Sequence, residues 1–214
     1  MVGLSLNLVL GALYEFVREE AKSSKNGTPS KRGYDFEDRA SRQIFDIVRG
    51  YGVTSRPPRT ELEYPSFSGI NHIFDNMFLH EKIVYPIECK AARHEVEHLY
   101  TFNAKLIDHA LGFKVHGLQL HIRGIFLSTK ELGESARAYA FAYGIIPIDP
   151  AVPPIDYMIE SADDQILRQE LKRLSETMKV CMPDILDSTM RRNGPKLEEA
   201  FTHLYRIWKA KGHA

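Results

Sequence analysis

The chain has little cysteine, no excess of charge of either sign and no long uninterrupted apolar run. Its 214 residues include only two cysteines, Cys89 and Cys181, which excludes the disulfide framework that staples small secreted domains. Lys and Arg together number 28, as do Asp and Glu, so the chain lacks the global positive field of a strong non-specific nucleic-acid binder. Local patches set phosphate binding, however, so this neutrality does not exclude a protein that acts on nucleic acid.

The N-terminal segment lacks the features of a secretion signal and of a membrane span. Residues 1–17 are rich in leucine, but no basic region precedes them, and Ser5, Asn7 and Gly11 interrupt the apolar run before Glu15. We expect a packed or dimerising helix there and no membrane partner, with a membrane-surface anchor as a remote alternative, and the reducing cytoplasm as the location of the protein.

Proline and serine divide the chain into three parts. Residues 23–30 have the composition of a linker, and a group of prolines follows position 149. We therefore predict an N-terminal helix and linker at residues 1–30, a core at 31–150 and a C-terminal helical extension at 151–214.

The extension carries two amphipathic patterns, at residues 163–180 and 197–209, which predict two helices. These helices could pack on the core, join two copies of the chain or bind DNA, and the sequence leaves all three open. A homodimer formed through the terminal helices is therefore one expectation.

Two extended segments in the core carry the most informative residues. Residues 72–78 and 83–89 are rich in β-branched and aromatic residues, and the polar break at 79–82 between them predicts a hairpin. Pro86 cannot donate a hydrogen bond to a neighbouring strand, which predicts an edge strand or a bulge at this point.

The hairpin would bring acidic and basic side chains together. Because side chains alternate between the two faces of a strand, Glu88 and Lys90 share one face while Cys89 points to the other. Asp75 can reach the same pocket from the neighbouring strand. The alternative is that Asp75 lies in a turn and that the other two charges are ordinary surface groups on an edge strand.

Apolar spacing predicts the elements around the hairpin. A first helix opens at Gly33 and ends near Gly50 and Gly52, and a second covers residues 95–111. Farther on we predict a strand at 124–128, a helix at 132–143 with a capping box formed by Ser128 and Glu131, and a strand at 145–149. The apolar stripe of the first helix consists of Phe36, Ala40, Ile44, Ile47 and Val48.

The motifs in this order resemble the PD-(D/E)xK nuclease superfamily, which includes restriction endonucleases, Holliday junction resolvases and Mrr-like enzymes. Asp75 is followed after twelve residues by Glu88-Cys89-Lys90, and Gly33-Tyr34-Asp35-Phe36-Glu37 is similar to the G-x-x-F-E that opens the first core helix in such proteins. The resemblance covers residues 33–150. It implies an α/β restriction-endonuclease-like core, with a central mixed sheet flanked by helices in the order α-β-β-β-α-β and with extra helices at both ends.

The resemblance also implies a metal-dependent endonuclease that hydrolyses DNA. Carboxylates and a backbone carbonyl suit Mg²⁺, for which Mn²⁺ would substitute. We predict Asp75 and Glu88 as direct ligands, the carbonyl of Cys89 as a third, and Glu37 at a second metal position or in a water-mediated contact. Lys90 would hold the attacking water or the scissile phosphate.

Lys105, on the second predicted helix, lies where related enzymes often carry a polar residue that faces the substrate. We nevertheless interpret it as a solvated lysine.

Two other functions stay open. The first is a nuclease-like module that binds DNA or assembles complexes without cutting. The second, more remote, is a zinc metalloprotease, since residues 94–98 match H-E-x-x-H and would place His94 and His98 on one face of a helix with Glu95 as base. Against a protease stand the charge of Glu97 inside the motif and the lack of a suitably spaced third ligand.

Overall fold

The computed structural model describes most of the predicted core and the helix before it. The described residues are 6–23, 29–50, 54–55, 64–91 and 95–154, with Gln165, Arg168, Gln169 and Lys172, which are helical. The two helices predicted in the C-terminal extension therefore lie outside the described residues, apart from these four positions.

Four helices and six strands make up the described part of the chain. The helices are α1 (Leu6–Ser23), α2 (Pro29–Gly50), α3 (Glu95–Val115) and α4 (Glu134–Ala142). The strands are β1 (Thr54–Ser55), β2 (Asn76–His80), β3 (Ile83–Lys90), β4 (His121–Ile122), β5 (Ile125–Ser128) and β6 (Ile146–Ile148).

The strands form one mixed sheet in the order β1-β2-β3-β5-β6, with β4 paired to the start of β3. The pairs β1–β2 and β2–β3 are antiparallel, whereas β3–β5 and β5–β6 are parallel. Helix α3 connects β3 to β5 and α4 connects β5 to β6, as parallel neighbours require a crossover. The predicted central mixed sheet flanked by helices is confirmed. The order of the core elements also matches the predicted α-β-β-β-α-β, with α2, β1, β2, β3, α3 and β5 in these places.

Each face of the sheet is covered by a pair of helices. Because side chains alternate along a strand, Ile87 and Cys89 of β3 face the cluster that contains α1 and α2, whereas Val84 faces the cluster that contains α3 and α4. Phe36 and Ile44 on α2 are buried in the first of these clusters, as their helical spacing predicts.

Helix α1 belongs to the first cluster rather than standing apart from the core. Val9, Leu10, Leu13 and Val17 are all fully buried against it, so the predicted packed helix is confirmed. Across the described ranges, no helix combines the length and the apolar character needed to cross a membrane.

The hairpin differs from its prediction in two ways. Strand β2 begins at Asn76, not at position 72, although the Asp75 amide still donates a hydrogen bond to β3 at the Ile87 carbonyl. Farther upstream, the His72 side chain contacts Asp108 of α3. The turn contains only Glu81 and Lys82, and Glu81 adopts a left-handed φ of 56°.

The prediction of an edge strand or a bulge at Pro86 is wrong, since Pro86 pairs with Met77 of β2 in an unbroken register. Strand β3 lies inside the sheet, between β2 and β5. On its parallel side, β4 pairs with Ile83 and Val84, whereas β5 pairs with Ile87 onward. Pro86 therefore lies where the ladder passes from β4 to β5, so its missing N–H leaves no gap in either pairing.

Two predicted helix boundaries also need correction. Helix α2 begins at Pro29, four residues before Gly33, which fits the preference of proline for the first turn of a helix. The predicted capping box is wrong, because α4 starts at Glu134 without a side-chain cap, and the Ser128 hydroxyl donates to the Lys130 carbonyl. The predicted strands around β5 and β6 are confirmed.

A close backbone contact ties α3 to the segment that precedes β2. A Cβ added at Gly112 would overlap backbone atoms of Pro65 and Ser66. We therefore expect Gly112→Ala to lower the free energy of unfolding by about 1–3 kcal/mol, although alanine is the better helix former. Urea denaturation measures this change. Gly133→Ala is the matched control, because nothing lies within 4 Å of its added Cβ, and an equal loss in both variants would contradict the explanation.

Candidate active site

The ends of β2 and β3 position the first carboxylate. Asp75 immediately precedes β2, and its amide donates a hydrogen bond of 3.1 Å to the Ile87 carbonyl. Its Oδ2 accepts a hydrogen bond of 2.7 Å from the amide of Cys89. Both bonds hold the carboxylate against β3, beside Glu88, as the sequence predicts.

A buried polar contact attaches α2 to the same point. The Ser41 hydroxyl donates to the Asp75 carbonyl (3.1 Å), and the Asn76 side-chain amide donates to the Ser41 carbonyl (2.8 Å). Ser41 and Asn76 are only 2% and 1% exposed. Since Glu37 lies one helical turn before Ser41, this contact fixes Glu37 relative to Asp75. The sequence carries no periodic signal for either polar residue, and the prediction missed both.

Lys90 joins two of the predicted carboxylates. Its Nζ lies 3.0 Å from Glu88 Oε1 and 3.4 Å from Glu37 Oε1. The three side chains are 13–21% exposed, so they are accessible to a ligand yet substantially shielded from water. The structure therefore brings Glu37, Asp75, Glu88 and Lys90 together, whereas their chemical roles stay predictions.

Lys105 also belongs to the cluster, so its interpretation as a solvated lysine is wrong. Its Nζ lies 3.4 Å from Glu88 Oε2 and donates a hydrogen bond of 3.2 Å to the Ile73 carbonyl. The same ammonium lies 5.5 Å from the centre of the Phe74 ring. Glu88 thus has one lysine at each of its two oxygens. Position 105 carries no sequence motif, and only the approach of α3 to β3 reveals this contact.

Burial and like charge act on the ionisation of the site. Burial, followed by the negative charge of Glu88, raises the pKa of Asp75 to about 6, although the Cys89 amide and Lys90 oppose this shift. For Lys90, burial lowers the pKa, but the charges of Glu88 and Asp75 and the hydrogen bond with Glu88 outweigh it, so the pKa is raised overall. Lys90 therefore keeps its proton at neutral pH. The pKa of Asp75, about 6, lies just below neutral pH.

The Cys89 side chain lies on the other face of β3, as predicted. It is fully buried in the cluster with α1 and α2, and burial raises the pKa of its thiol well above the ordinary value. Only the backbone of Cys89 is therefore available to the site. Its role as a carbonyl ligand stays a prediction.

The oxygen atoms of the cluster suit a hard divalent cation. Asp75 and Glu88 are held close enough that the charge of Glu88 raises the pKa of Asp75, and a cation between them would relieve that repulsion. Within the residues that the structure describes, no group of three or more His, Cys, Asp or Glu side chains has the arrangement of a metal site. The carboxylates of Glu37 and Glu88 meet at the Lys90 ammonium rather than at each other.

The H-E-x-x-H alternative rests on residues that the structure describes only in part. Helix α3 begins at Glu95 and includes His98, whereas His94 lies outside the described residues. The protease hypothesis therefore stays a prediction.

Comparison with known proteins gives structural likenesses only. No protein-family model and no curated protein matches the chain. Among solved structures it is similar to the small subunit of the heterodimeric restriction endonuclease R.BspD6I, with 17% identity, coverage of 91% of this chain and 97% of that chain, and a TM-score of 0.42. It is also similar to a protein of unknown function, AF1548, with 18% identity, coverage of 79% and 97%, and a TM-score of 0.36. Likenesses at this level do not bear on the activity of the site.

Proposed function

We propose that this protein is a Mg²⁺-dependent endonuclease that hydrolyses phosphodiester bonds of DNA. One observation carries the proposal. Glu37 of α2 and Glu88 of β3 both contact the Lys90 ammonium, and the Asp75 carboxylate, immediately before β2, is held against β3 beside Glu88. A cluster that combines hard oxygen ligands with a fixed cation suits a substrate that is a phosphate ester.

Asp75, Glu88 and the Cys89 carbonyl would hold the metal ion. When bound, such an ion neutralises charge on the phosphoryl oxygens and provides a more acidic water. Glu37, which shares Lys90 with Glu88, would hold a second ion or a water. Mn²⁺ would replace Mg²⁺, because both accept oxygen ligands.

Lys90 would act as a cation and not as a base. The surrounding carboxylates raise its pKa, so it keeps its proton at neutral pH. From this position it would hold a phosphate oxygen or the attacking water, and its charge would favour hydroxide nearby. Lys105 supplies a second positive charge on the α3 side of Glu88, where it would contact the same phosphodiester.

We expect the wild-type protein to cut at least one form among supercoiled, linear, branched and single-stranded DNA with Mg²⁺ or Mn²⁺, and none with EDTA. Lys90→Ala should reduce the rate by a factor on the order of 10²–10³, the usual cost of removing one group that stabilises developing charge. Gel assays of initial rates measure this effect.

Lys82→Ala is the matched control, because Lys82 lies exposed in the turn of the same hairpin. Its rate should equal that of the wild type. If none of the four DNA forms is cut with either metal, the proposal fails. DNA binding without cutting would then favour the inactive binding or assembly module.

A further inference from the structure

The segment at residues 64–75, called here the apolar loop, exposes three large apolar side chains. Phe67, Ile70 and Ile73 are 62%, 59% and 53% exposed. Between them lie Ser68, Gly69 and Asn71, which are also exposed, so the apolar groups project singly from a polar backbone. Single exposed apolar side chains are ordinary on a protein surface, so the position of these three beside the candidate active site, rather than their exposure alone, indicates a contact surface.

Hydrogen bonds to α3 hold the apolar loop in one conformation. Asp108 Oδ1 accepts from the Ser68 amide (2.8 Å), and its Oδ2 accepts from the Ser68 hydroxyl (2.5 Å) and contacts His72 Nε2 at 2.8 Å. The Phe67 amide donates to the Asp108 carbonyl (3.0 Å). These hydrogen bonds therefore hold the loop in a conformation that exposes Phe67.

The apolar loop also leads directly into the candidate active site. The Ile73 carbonyl accepts a hydrogen bond from Lys105, the lysine that contacts Glu88, and the loop ends at Asp75. Asp108 lies three residues after Lys105 on α3, which is roughly 4.5 Å along the helix axis. Successive nucleotides of one DNA strand are about 3.4 Å apart, so the loop tip lies near the bases that flank a phosphate held at Lys105.

The size of the patch speaks against a second copy of the chain as its occupant. Three partly exposed side chains offer roughly 300 Å² of apolar surface, whereas a stable protein interface buries about 800 Å² on each partner, of which roughly 450 Å² is apolar. A nucleobase, in contrast, is an apolar plane of the size of one aromatic ring, and it is always attached to a phosphate.

We propose that the apolar loop contacts the DNA bases next to the phosphate held at the active site, with Phe67 stacked on a base and Ile70 and Ile73 beside it. This inference rests on the proposed function, since it takes DNA as the substrate. The loop thereby becomes a second point of attachment, which selects DNA whose bases are unstacked or easily unstacked at the cutting position.

Tryptophan fluorescence tests the contact without any cleavage. Phe67→Trp and Leu8→Trp are each made in a Trp208→Phe background. Leu8 is the matched control, because it is 50% exposed on α1, which packs on the face of the sheet opposite to α3. Single-stranded and duplex oligonucleotides are added in EDTA, and acrylamide quenching is measured with and without DNA. We expect acrylamide to reach both reporters without DNA. DNA should then quench the reporter at position 67 at least twofold and protect it from acrylamide, and should leave the reporter at position 8 unchanged.

Affinity provides a second measurement. Fluorescence anisotropy in EDTA should show at least tenfold weaker DNA binding for the combined variant Phe67→Ser, Ile70→Ser, Ile73→Ser, and wild-type binding for Leu8→Ser. Thermal melting checks that both variants are folded.

Several results would overturn the inference. These are equal responses of the two reporters, no response to DNA, poor access of acrylamide without DNA because another part of the chain covers the loop, or self-association that the triple variant abolishes. Wild-type cutting by the triple variant would also reject the loop contact while leaving the proposed function intact. Loop-dependent DNA binding without metal-dependent cutting would support the contact and reject the proposed function.

Discussion

Asp75→Asn should reduce metal-dependent cleavage of DNA by a factor on the order of 10³ and should at the same time stabilise the protein. The neutral amide can still accept the hydrogen bond from the Cys89 amide, so the local backbone is retained. The negative charge that would bind a cation is lost. Initial cutting rates and urea denaturation in EDTA measure the two effects separately.

The gain in stability has a defined pH window. The pKa of Asp75 is raised from 3.8 to about 6, chiefly by burial and then by Glu88, so between these values the folded protein binds a proton that the unfolded chain has lost. The wild type therefore loses stability as the pH rises through this window. We expect Asp75→Asn to be more stable by about 1–3 kcal/mol above pH 6, with the difference vanishing near pH 4.

Asp46→Asn serves as the control, because Asp46 lies exposed on α2. It should change neither the cutting rate nor the dependence of stability on pH. A destabilised Asp75→Asn protein at pH 7.5 would contradict the electrostatic account of the site. Full activity in that variant would exclude Asp75 as a ligand.

Asp149→Ala should lower the free energy of unfolding by about 3–5 kcal/mol, the largest loss of stability that we expect from one substitution. Asp149 and Arg137 are 1% and 3% exposed, and Arg137 Nη2 lies 3.0 Å from Asp149 Oδ2. Asp149 Oδ1 also accepts hydrogen bonds from the amides of Ala151 (2.8 Å) and Val152 (3.1 Å). Removal of the carboxylate takes the nearest negative charge away from a buried guanidinium and leaves buried N–H donors without their acceptor.

Urea denaturation at pH 7.5 measures this loss, at a pH where Asp149 is ionised although burial raises its pKa to about 6. Asp38→Ala is the control, since Asp38 pairs with Arg42 on the surface of α2, where such pairs contribute about 0–1 kcal/mol. The double variant Arg137→Met, Asp149→Leu should recover much of the loss, because no charge is then buried alone. A loss of unfolding free energy below about 1 kcal/mol for Asp149→Ala would contradict the stabilising role of its pair with Arg137.

Burial raises the pKa of both acidic residues to about 6, but the partners of the two carboxylates differ. Asp149 accepts hydrogen bonds from several amides and pairs with Arg137, so its removal leaves buried partners without their acceptor. Asp75 has one amide donor at its carboxylate and a second carboxylate close by, so its charge is costly. Such a cost is typical of groups that are placed for chemistry rather than for stability.

The local pattern of the sequence was enough to place most of the elements. The helical stripe through Phe36 and Ile44 marked the buried face of α2, and period-two alternation separated Glu88 and Lys90 from Cys89. These predictions succeeded because burial on one face of a helix or strand imposes a repeat that can be read from the chain alone. The convergence of Asp75 with Glu88 followed from the same hairpin, although β2 starts one residue later than Asp75.

Contacts between elements far apart in the chain were decided only by the tertiary structure. Lys105 reaches Glu88 because α3 packs across the sheet, and Pro86 is tolerated inside the sheet because β4 and β5 leave a break opposite it. Asp108 fixes the apolar loop at Ser68, forty positions away. A single charged or polar side chain has no periodicity, so its partner depends on which surfaces meet after folding. The sequence by itself therefore determined the sheet, its helices and the acidic hairpin, whereas three-dimensional packing decided which lysines and which loop complete the site.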